Sequence, residues 1–133
     1  MKRNHFVYME KLKYKVLTSE TMSDFVTLFG ETGACGGCWC MYWRLTHKEY
    51  EKNKGENNKL LMRKLIIDES PLGILVYKKG IPIGWCSISP RMNLIRLRTS
   101  RLFKPIDNVP VWSITCLYIK KEFRKKNISA QLI

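Results

Sequence analysis

The feature that most constrains the fold is an apolar run, residues 111–119, that leads directly into a basic segment, residues 120–126. The run contains many β-branched and aromatic side chains, which is typical of a central strand buried on both faces. Five of the seven residues that follow are Lys or Arg, and residues 128–133 then have the pattern of a new helix. A buried strand that passes through a charged loop into a helix predicts a layered domain of sheet and helices.

The remaining segments alternate in a way that supports this class. Their patterns predict a strand over 14–17, a helix after residues 18–21, which offer several N-cap hydroxyls, and a glycine-rich loop over 33–40. Further on, the patterns predict a hairpin with strands 72–77 and 81–89 and a turn at 78–80, and then a basic, helical stretch over 92–101. We therefore expect one α/β (α+β layered) domain over residues 1–133.

Two helix starts in the middle of the chain carry capping signals. Thr46 and Glu49 match a capping box, in which hydroxyl and carboxylate groups satisfy the first amides of a helix. Asn57 is expected to cap a third helix, which ends near Asp68 with Pro71 beyond it. These signals place two short helices between the glycine-rich loop and the hairpin.

The net charge of the chain favours anionic partners. The formal net charge is +13, from 24 Lys and Arg against 11 Asp and Glu. Such a field attracts phosphates, nucleic acid or acidic surfaces, although a solvated Lys-rich surface explains much of the excess.

The composition favours a reducing, aqueous compartment. No window approaches the roughly 18 apolar residues of a membrane span, and residues 1–15 lack the apolar centre of a secretory signal. Five cysteines are an odd number, and three of them crowd into residues 35–40, which is a poor spacing for a disulfide framework. We expect a cytoplasmic protein with free thiols.

Together, residues 111–124, the hairpin segment 83–88 and the loop 124–129 resemble the GNAT superfamily of N-acetyltransferases. The loop is similar to that family's Arg-x-x-Gly-x-Gly/Ala motif, with Asn127 and Ser129 at the two glycine positions. Residues 36–44 and 84–91 are also similar to a less-studied branch of these enzymes. The resemblance implies a GNAT-like fold with a mixed sheet and helices on both faces, which here stops within the acetyl-CoA motif.

The same resemblance implies a function and a cosubstrate site. An acetyl group would pass from acetyl-CoA to a primary amine by direct attack, with the pyrophosphate at a helix N-terminus where amides point at an anion. Basic side chains would add charge, and Asn127 can adopt the left-handed conformation that the motif requires. The main chain before the loop would bind the pantetheine arm like an added strand. The expected cosubstrate-binding residues are Leu117, Tyr118, Ile119, Arg124, Lys125, Lys126, Asn127, Ile128 and Ser129.

The catalytic residues stay open at this stage. The reaction needs a general base, an oxyanion donor and an acid for the thiolate. Asp107, Glu122, His47 and water relays all remain candidates for the base, and the family's usual tyrosine acid belongs to a helix beyond residue 133. The acceptor amine is not identified either.

Other interpretations concern metal and nucleic acid. Cys35, Cys38 and Cys40 could supply thiolates to zinc, with His47, Cys86 or Cys116 as a fourth ligand, although only one Cys-x-x-Cys occurs and we expect no metal. The aromatic cluster Trp39, Tyr42 and Trp43, beside Arg44, could stack on bases, although packing is the better explanation and nucleic acid is an unlikely partner.

The edge of strand 111–119 suggests an assembly. If it has no neighbour on one side, it offers unpaired backbone groups to another chain, so a homodimer is expected. A truncated, non-catalytic GNAT-like domain is the remaining alternative.

Overall fold

The computed structural model describes residues 11–133, so most of the segment examined for a secretory signal lies outside the described residues. In the described part, four strands and five α-helices follow the predicted order. They are β1 (Leu12–Val16), α1 (Met22–Phe29), α2 (His47–Asn53), α3 (Glu56–Ile67), β2 (Gly73–Lys78), β3 (Ile81–Pro90), α4 (Ile95–Arg98), β4 (Trp112–Ile119) and α5 (Ile128–Leu132). None of the helices within residues 11–133 has both the length and the apolar character needed to cross a membrane.

The four strands form one sheet in the order β1-β2-β3-β4. Each neighbouring pair is antiparallel, so the described sheet contains no parallel pair of the kind a mixed sheet would have. The layered α/β class is nevertheless confirmed, because helices cover this sheet on both faces.

The central hairpin follows the sequence prediction closely. Lys78 pairs with Ile81, which leaves Lys79 and Gly80 as a two-residue turn. Both turn residues have positive φ, 51° and 76°, which is the backbone of the hairpin turn that matches the twist of the strands. Glycine at the second position makes this conformation inexpensive.

Alternate residues of the hairpin divide the interior into two cores. The large core lies on the face covered by α1, α2 and α3, and it contains Leu75, Tyr77 and Trp85. The small core lies on the other face, where Val76 and Cys86 pack with α5. The period-two alternation of a strand explains how neighbouring residues enter different cores.

One of the two capping predictions is confirmed and the other is wrong. The Thr46 hydroxyl accepts a hydrogen bond from the Glu49 amide at 3.2 Å and donates one to the Glu49 carboxylate at 2.7 Å. Asn57, by contrast, lies inside α3, which begins after Gly55. Gly55 is the N-cap of α3. Its amide donates to the Gly37 carbonyl at 2.9 Å, and its φ of 86° allows the sharp turn of the chain at this point.

The helix expected over 92–101 is broken into two short pieces. A 3-10 turn, Arg91–Asn93, precedes α4, and Leu94 between them is extended. The Leu94 side chain is fully buried, so the backbone leaves helical geometry to direct it inward.

Strand β4 differs from the expected central strand. It is an edge strand in the described sheet, and most of its residues are partly exposed, including Trp112 at 58%, Ile114 at 42% and Leu117 at 39%. The prediction of burial on both faces is therefore wrong for β4, whose second edge also pairs with no described strand. Within the described residues, the second edge of β4 is unpaired, as expected.

Candidate active site

The loop after β4 turns into α5 through two residues with left-handed backbone geometry. A 3-10 turn, Lys121–Phe123, leads into it, and Lys125 and Asn127 both have φ of 62°. Asn127 is the N-cap of α5 and makes no side-chain cap hydrogen bond, so it leaves the first amides of the helix uncovered. A residue of this type adopts the left-handed conformation at lower cost than most others, which fits its place at a glycine position.

A pocket of about 170 Å³ lies at this turn. Its lining comes from the end of β4, the loop and the start of α5: Ile119, Phe123, Arg124, Lys125, Asn127, Ile128 and Ser129. The structure thus brings together most of the residues expected at the pyrophosphate, both apolar and cationic, although Lys126 is not part of this lining.

The three basic side chains of the loop have different environments. Arg124 donates from Nε to the Ile119 carbonyl at 2.8 Å, so it braces the loop against β4. Lys125 and Lys126 are exposed. The Lys126 ammonium lies 5.7 Å from the ring centre of Phe123. Both lysine side chains are exposed to solvent, while Arg124 already has a structural hydrogen bond.

The backbone of β4 presents alternate residues to its open edge. Lys120 donates to the Ile83 carbonyl at 2.8 Å, which directs the amides and carbonyls of Lys120 and Tyr118 toward β3. The same alternation turns the backbone groups of Leu117 and Ile119 away from β3. Leu117 and Ile119 can therefore bind an extended ligand through the main chain, whereas Tyr118, although expected to do so, faces its neighbouring strand.

A β-bulge interrupts β4 just before these residues. Ser87 pairs with Cys116 and Ile88 with Ile114, so Thr115 is an extra residue in β4. The Thr115 hydroxyl donates to Ser87 Oγ at 3.2 Å. Bulges are frequent next to active sites because they redirect side chains locally.

The bulge adjoins a polar cluster built on Arg44. The guanidinium donates to Ser89 Oγ at 3.0 Å, to Ser87 Oγ at 2.9 Å and to the Leu72 carbonyl at 3.2 Å. Both serine side chains are fully buried, so the guanidinium is directed into the protein and burial lowers its pKa. Sequence reasoning missed this cluster, although two serines on one face of an otherwise apolar strand indicate a buried polar partner.

Two thiols belong to the same cluster. Trp85 donates from Nε1 to Cys40 Sγ at 3.2 Å in the interior. A hydrogen bond from the Cys116 thiol, and next the charge of Arg44, lower the pKa of Cys40 to about 6 against the opposing effect of burial. The hydrogen bond to Cys40, together with burial, raises the pKa of Cys116. Within this pair, the surroundings favour ionisation of Cys40 and disfavour ionisation of Cys116.

The candidates for the general base lie apart in the fold. His47 begins α2, Glu122 lies exposed in the 3-10 turn after β4, and Asp107 is in the connection between α4 and β4. The Asp107 carboxylate accepts a hydrogen bond from the Val109 amide at 3.0 Å.

The cysteine loop is organised by its own backbone. Cys38 Sγ donates to the Gly33 carbonyl at 3.6 Å and accepts from the Cys40 amide at 3.5 Å, while Cys35 is exposed. Within residues 11–133, no group of three or more His, Cys, Asp or Glu side chains is arranged to hold a metal ion.

The aromatic cluster divides between core and surface. Trp39 stacks on Phe29 with ring centres 5.7 Å apart in the large core, as the packing interpretation predicts. Trp43 meets Phe103 edge to face at 6.2 Å, and the Arg96 guanidinium lies 3.9 Å above the Tyr42 ring. These rings are therefore engaged with protein groups.

Solved structures with the same fold are GNAT N-acetyltransferases. The aminoglycoside enzyme AAC(6')-Iy, in complex with the bisubstrate analogue CoA-S-monomethyl-acetylneamine, matches 92% of this chain and 66% of its own, with a TM-score of 0.57 and 13% identity. A GNAT family acetyltransferase from Streptococcus agalactiae matches 94% of this chain and 67% of its own, with a TM-score of 0.57 and 13% identity. A ribosomal-protein-alanine N-acetyltransferase from Brucella melitensis matches 92% and 66%, with a TM-score of 0.54 and 11% identity.

The chain therefore has the GNAT fold, and the resemblance seen in its sequence is confirmed at the level of the fold. It spans about two thirds of the length of these acetyltransferases. No family model and no curated protein matches it in sequence.

Proposed function

We propose that the protein is an N-acetyltransferase that uses acetyl-CoA as cosubstrate and transfers the acetyl group directly to a primary amine. The observation that carries the proposal is that three features follow one another along one edge of the fold: the β4 bulge, an open stretch of backbone and a basic turn. The open backbone of Leu117 and Ile119 lies between the β4 bulge and the basic turn at α5. In this proposal residues 1–133 belong to one domain that acts in the cytoplasm.

The basic turn would hold the pyrophosphate of the cosubstrate. Uncovered amides at the start of α5 carry partial positive charge. Lys125 in the pocket lining and Lys126 next to it in the loop add full charges. Ser129 and Ile128 form its wall. Arg124 would act mainly by fixing the turn to Ile119.

The edge of β4 would hold the pantetheine arm. An extended amide chain can pair with Leu117 and partly with Ile119, whose carbonyl is already bonded to Arg124. Since a strand advances about 3.3 Å per residue, the thioester end would lie beyond Leu117, next to the bulge at Thr115. The reacting carbonyl would thus lie near the bulge at Thr115, which precedes Leu117 in β4.

Direct attack requires that acceptor and thioester bind together. Holding both in one cleft converts a bimolecular encounter into an intramolecular step. Exposed apolar side chains on the open side of β4, Ile114 and Leu117, are available to a second molecule. The same edge supports a homodimer as a further proposal, because its backbone groups can also pair with another copy of β4.

Calorimetric titration with acetyl-CoA tests the proposal. The variant Lys125→Ala/Lys126→Ala should bind at least tenfold more weakly, because it removes two charges at the turn and leaves the Arg124 bond intact. Lys48→Ala/Lys52→Ala removes the same charge from α2 and should bind like the parent chain. A folded parent chain that does not bind acetyl-CoA, or equal losses in both variants, would refute the assigned site.

A further inference from the structure

A pocket of about 390 Å³ lies between the start of α2 and the segment that contains α4. Sites that bind small molecules in proteins have volumes of roughly 300–1,000 Å³. The lining combines aromatic rings, one aliphatic side chain, hydroxyls, an imidazole and a guanidinium: Tyr42, Trp43, Thr46, His47, Ile95, Arg96, Thr99, Ser100 and Phe103. An apolar wall with a few polar groups is the combination that orients a small ligand.

Two arginines hold the walls of this pocket together. Arg96 in α4 donates from Nε to the Leu45 carbonyl at 3.0 Å, which attaches α4 to the segment before α2. Arg91 donates from Nη2 to the Phe103 carbonyl, which fixes the far wall. The backbone around the pocket is therefore arranged before any ligand enters, so that binding would order few additional groups.

The guanidinium of Arg96 is incompletely satisfied by the protein. Its Nη2 is buried and has no hydrogen-bond partner among the described residues. Its Cζ lies 3.9 Å from the centre of the Tyr42 ring, so an aromatic ring covers one face of the group. A buried N–H group without an acceptor destabilises the free protein, and a ligand oxygen beside the guanidinium would remove this cost.

The charge of Arg96 has no carboxylate partner in the described part of the chain. Among residues 11–133, the one ion pair within salt-bridge distance joins Lys54 and Glu51. The pocket lining includes no Asp or Glu. Glu49, at the start of α2, already accepts a hydrogen bond from the Thr46 hydroxyl at 2.7 Å. The pocket therefore favours a ligand with a negative charge.

The hydroxyls of the lining are used within the protein. Thr99 donates to the Ile95 carbonyl at 2.8 Å, and Ser100 Oγ accepts from the Phe103 amide at 3.1 Å. The guanidinium of Arg96 is thus the main group available for recognition of an anion. Its planar fork matches the two oxygens and the single charge of a carboxylate.

Aromatic side chains provide the apolar part of the pocket. Phe103 is 54% exposed and Tyr42 is 43% exposed, so ring surface is open to a ligand. Trp43 meets Phe103 edge to face at 6.2 Å, and the two rings form a corner of the wall. Aromatic groups prefer such edge and face contacts with another ring. A ligand with a ring beside its carboxylate would satisfy both halves of the pocket.

We propose that this pocket binds a small aromatic carboxylate, with the carboxylate on Arg96 and the ring against the aromatic corner. The pocket is separate from the one at the turn into α5, because the two share no lining residue. The inference does not rest on the proposed function, since it concerns the binding of a ligand and not acetyl transfer.

Calorimetric titration of the full chain with 3-phenylpropionate, in the absence of acetyl-CoA, tests the site. The parent chain should bind, and Arg96→Met should bind at least about tenfold more weakly because it lacks the charge and the fork of donors. Arg98→Met removes the same charge from an exposed position of the same helix and should bind like the parent. A folded parent chain that does not bind 3-phenylpropionate, or equal losses in the two variants, would overturn the proposal.

Arg96 also holds the backbone of the pocket, so a second variant addresses the other end of the ligand. Phe103→Ala truncates an exposed side chain and should fold like the parent, with an affinity about threefold lower because one ring contact is lost. An unchanged affinity for 3-phenylpropionate would contradict the place assigned to the ring.

Two further probes separate the parts of the ligand. The alcohol 3-phenyl-1-propanol has the ring without the charge, and inorganic phosphate has charge without a ring. Both should bind the parent chain at least about tenfold more weakly than 3-phenylpropionate. Equal binding of either probe would overturn the assignment of an aromatic carboxylate.

Phenylalanine distinguishes two sources of this ligand chemistry, because it adds an amine to the ring and carboxylate of 3-phenylpropionate. If the parent chain forms N-acetylphenylalanine from acetyl-CoA and Phe103→Ala forms less, the pocket holds the acceptor. If 3-phenylpropionate binds and no N-acetylphenylalanine forms, the site stands for a ligand that is not the acceptor. If 3-phenylpropionate binds and acetyl-CoA does not, the proposed function fails and this site stands; the converse result overturns the site alone.

Discussion

Strands β3 and β4 are neighbours of similar apolar character, yet they have opposite exposure. In β3 the Trp85 side chain is fully buried, whereas in β4 Trp112 is 58% exposed. Strand β3 has a paired strand on each side and helices above and below it, and β4 has a partner on one side within the described residues. An apolar strand sequence therefore does not show that the strand is buried within its own sheet. Its apolar surface can instead be covered by a ligand or by another strand.

The largest expected difference between the two strands is in stability. Trp85→Ala should lower the free energy of unfolding by about 3–5 kcal/mol, because it leaves a cavity in the large core. Trp112→Ala, the matched change on β4, should cost less than about 1 kcal/mol. Urea denaturation measures both values, and equal losses would show that β4 is buried as deeply as β3.

The buried thiolate should make stability depend on pH. The pKa of Cys40 is lowered from 9.0 to about 6 in the folded chain, so its contribution is fully present above pH 9 and is lost as the pH falls through 6. The free energy of unfolding should therefore rise by up to a few kcal/mol between pH 6 and pH 9. Denaturation of Cys40→Ser over the same range should give a flatter curve, and an unchanged slope would contradict the lowered pKa of Cys40.

The junction of β3 and β4 should be sensitive to one added methyl group. A Cβ at Gly84 would lie 2.6 Å from Val76 Cγ1 and 2.7 Å from Ile119 Cδ1. Gly84→Ala should therefore cost about 1–3 kcal/mol and weaken acetyl-CoA binding, since Ile119 would have to move. Thermal unfolding with and without acetyl-CoA measures both effects. A variant as stable as the parent would show that the strands adjust freely at this point.

The smallest expected effect concerns the turn after β4. Asn127→Gly removes the steric cost of positive φ at the N-cap of α5, and it should strengthen acetyl-CoA binding by a few-fold. Gly55, which also caps a helix at positive φ but far along the chain from the turn, gives the control: Gly55→Asn should leave binding unchanged. Weaker binding by Asn127→Gly would show that the Asn127 side chain itself contacts the ligand.

Local signals in the sequence predicted most of the fold. The turn at Lys79 and Gly80 and the capping box at Thr46 depend on neighbouring residues, so a short window contains the information. Asn57 failed as a cap because a long-range contact, from Gly55 to Gly37, sets the start of α3. Burial of β4 failed for the same kind of reason, since exposure depends on what lies beside a strand.

The candidate site was predictable only in part. The loop Arg124 to Ser129 is contiguous, and the left-handed Asn127 followed from its residue type. The cluster of Arg44, Ser87 and Cys116 joins three separate segments, and no spacing in the sequence relates them. The sequence also does not show that the backbone groups of Leu117 face the open edge while those of Tyr118 face β3, because this depends on the register between the two strands.

Amide hydrogen exchange of β4 with and without acetyl-CoA tests the central claim most directly. The account predicts slower exchange at Leu117 and Ile119, whose backbone faces the open edge, and little change at Tyr118, which faces β3. Protection that is absent from Leu117 and Ile119 in a chain saturated with acetyl-CoA would contradict the binding of the cosubstrate along this edge.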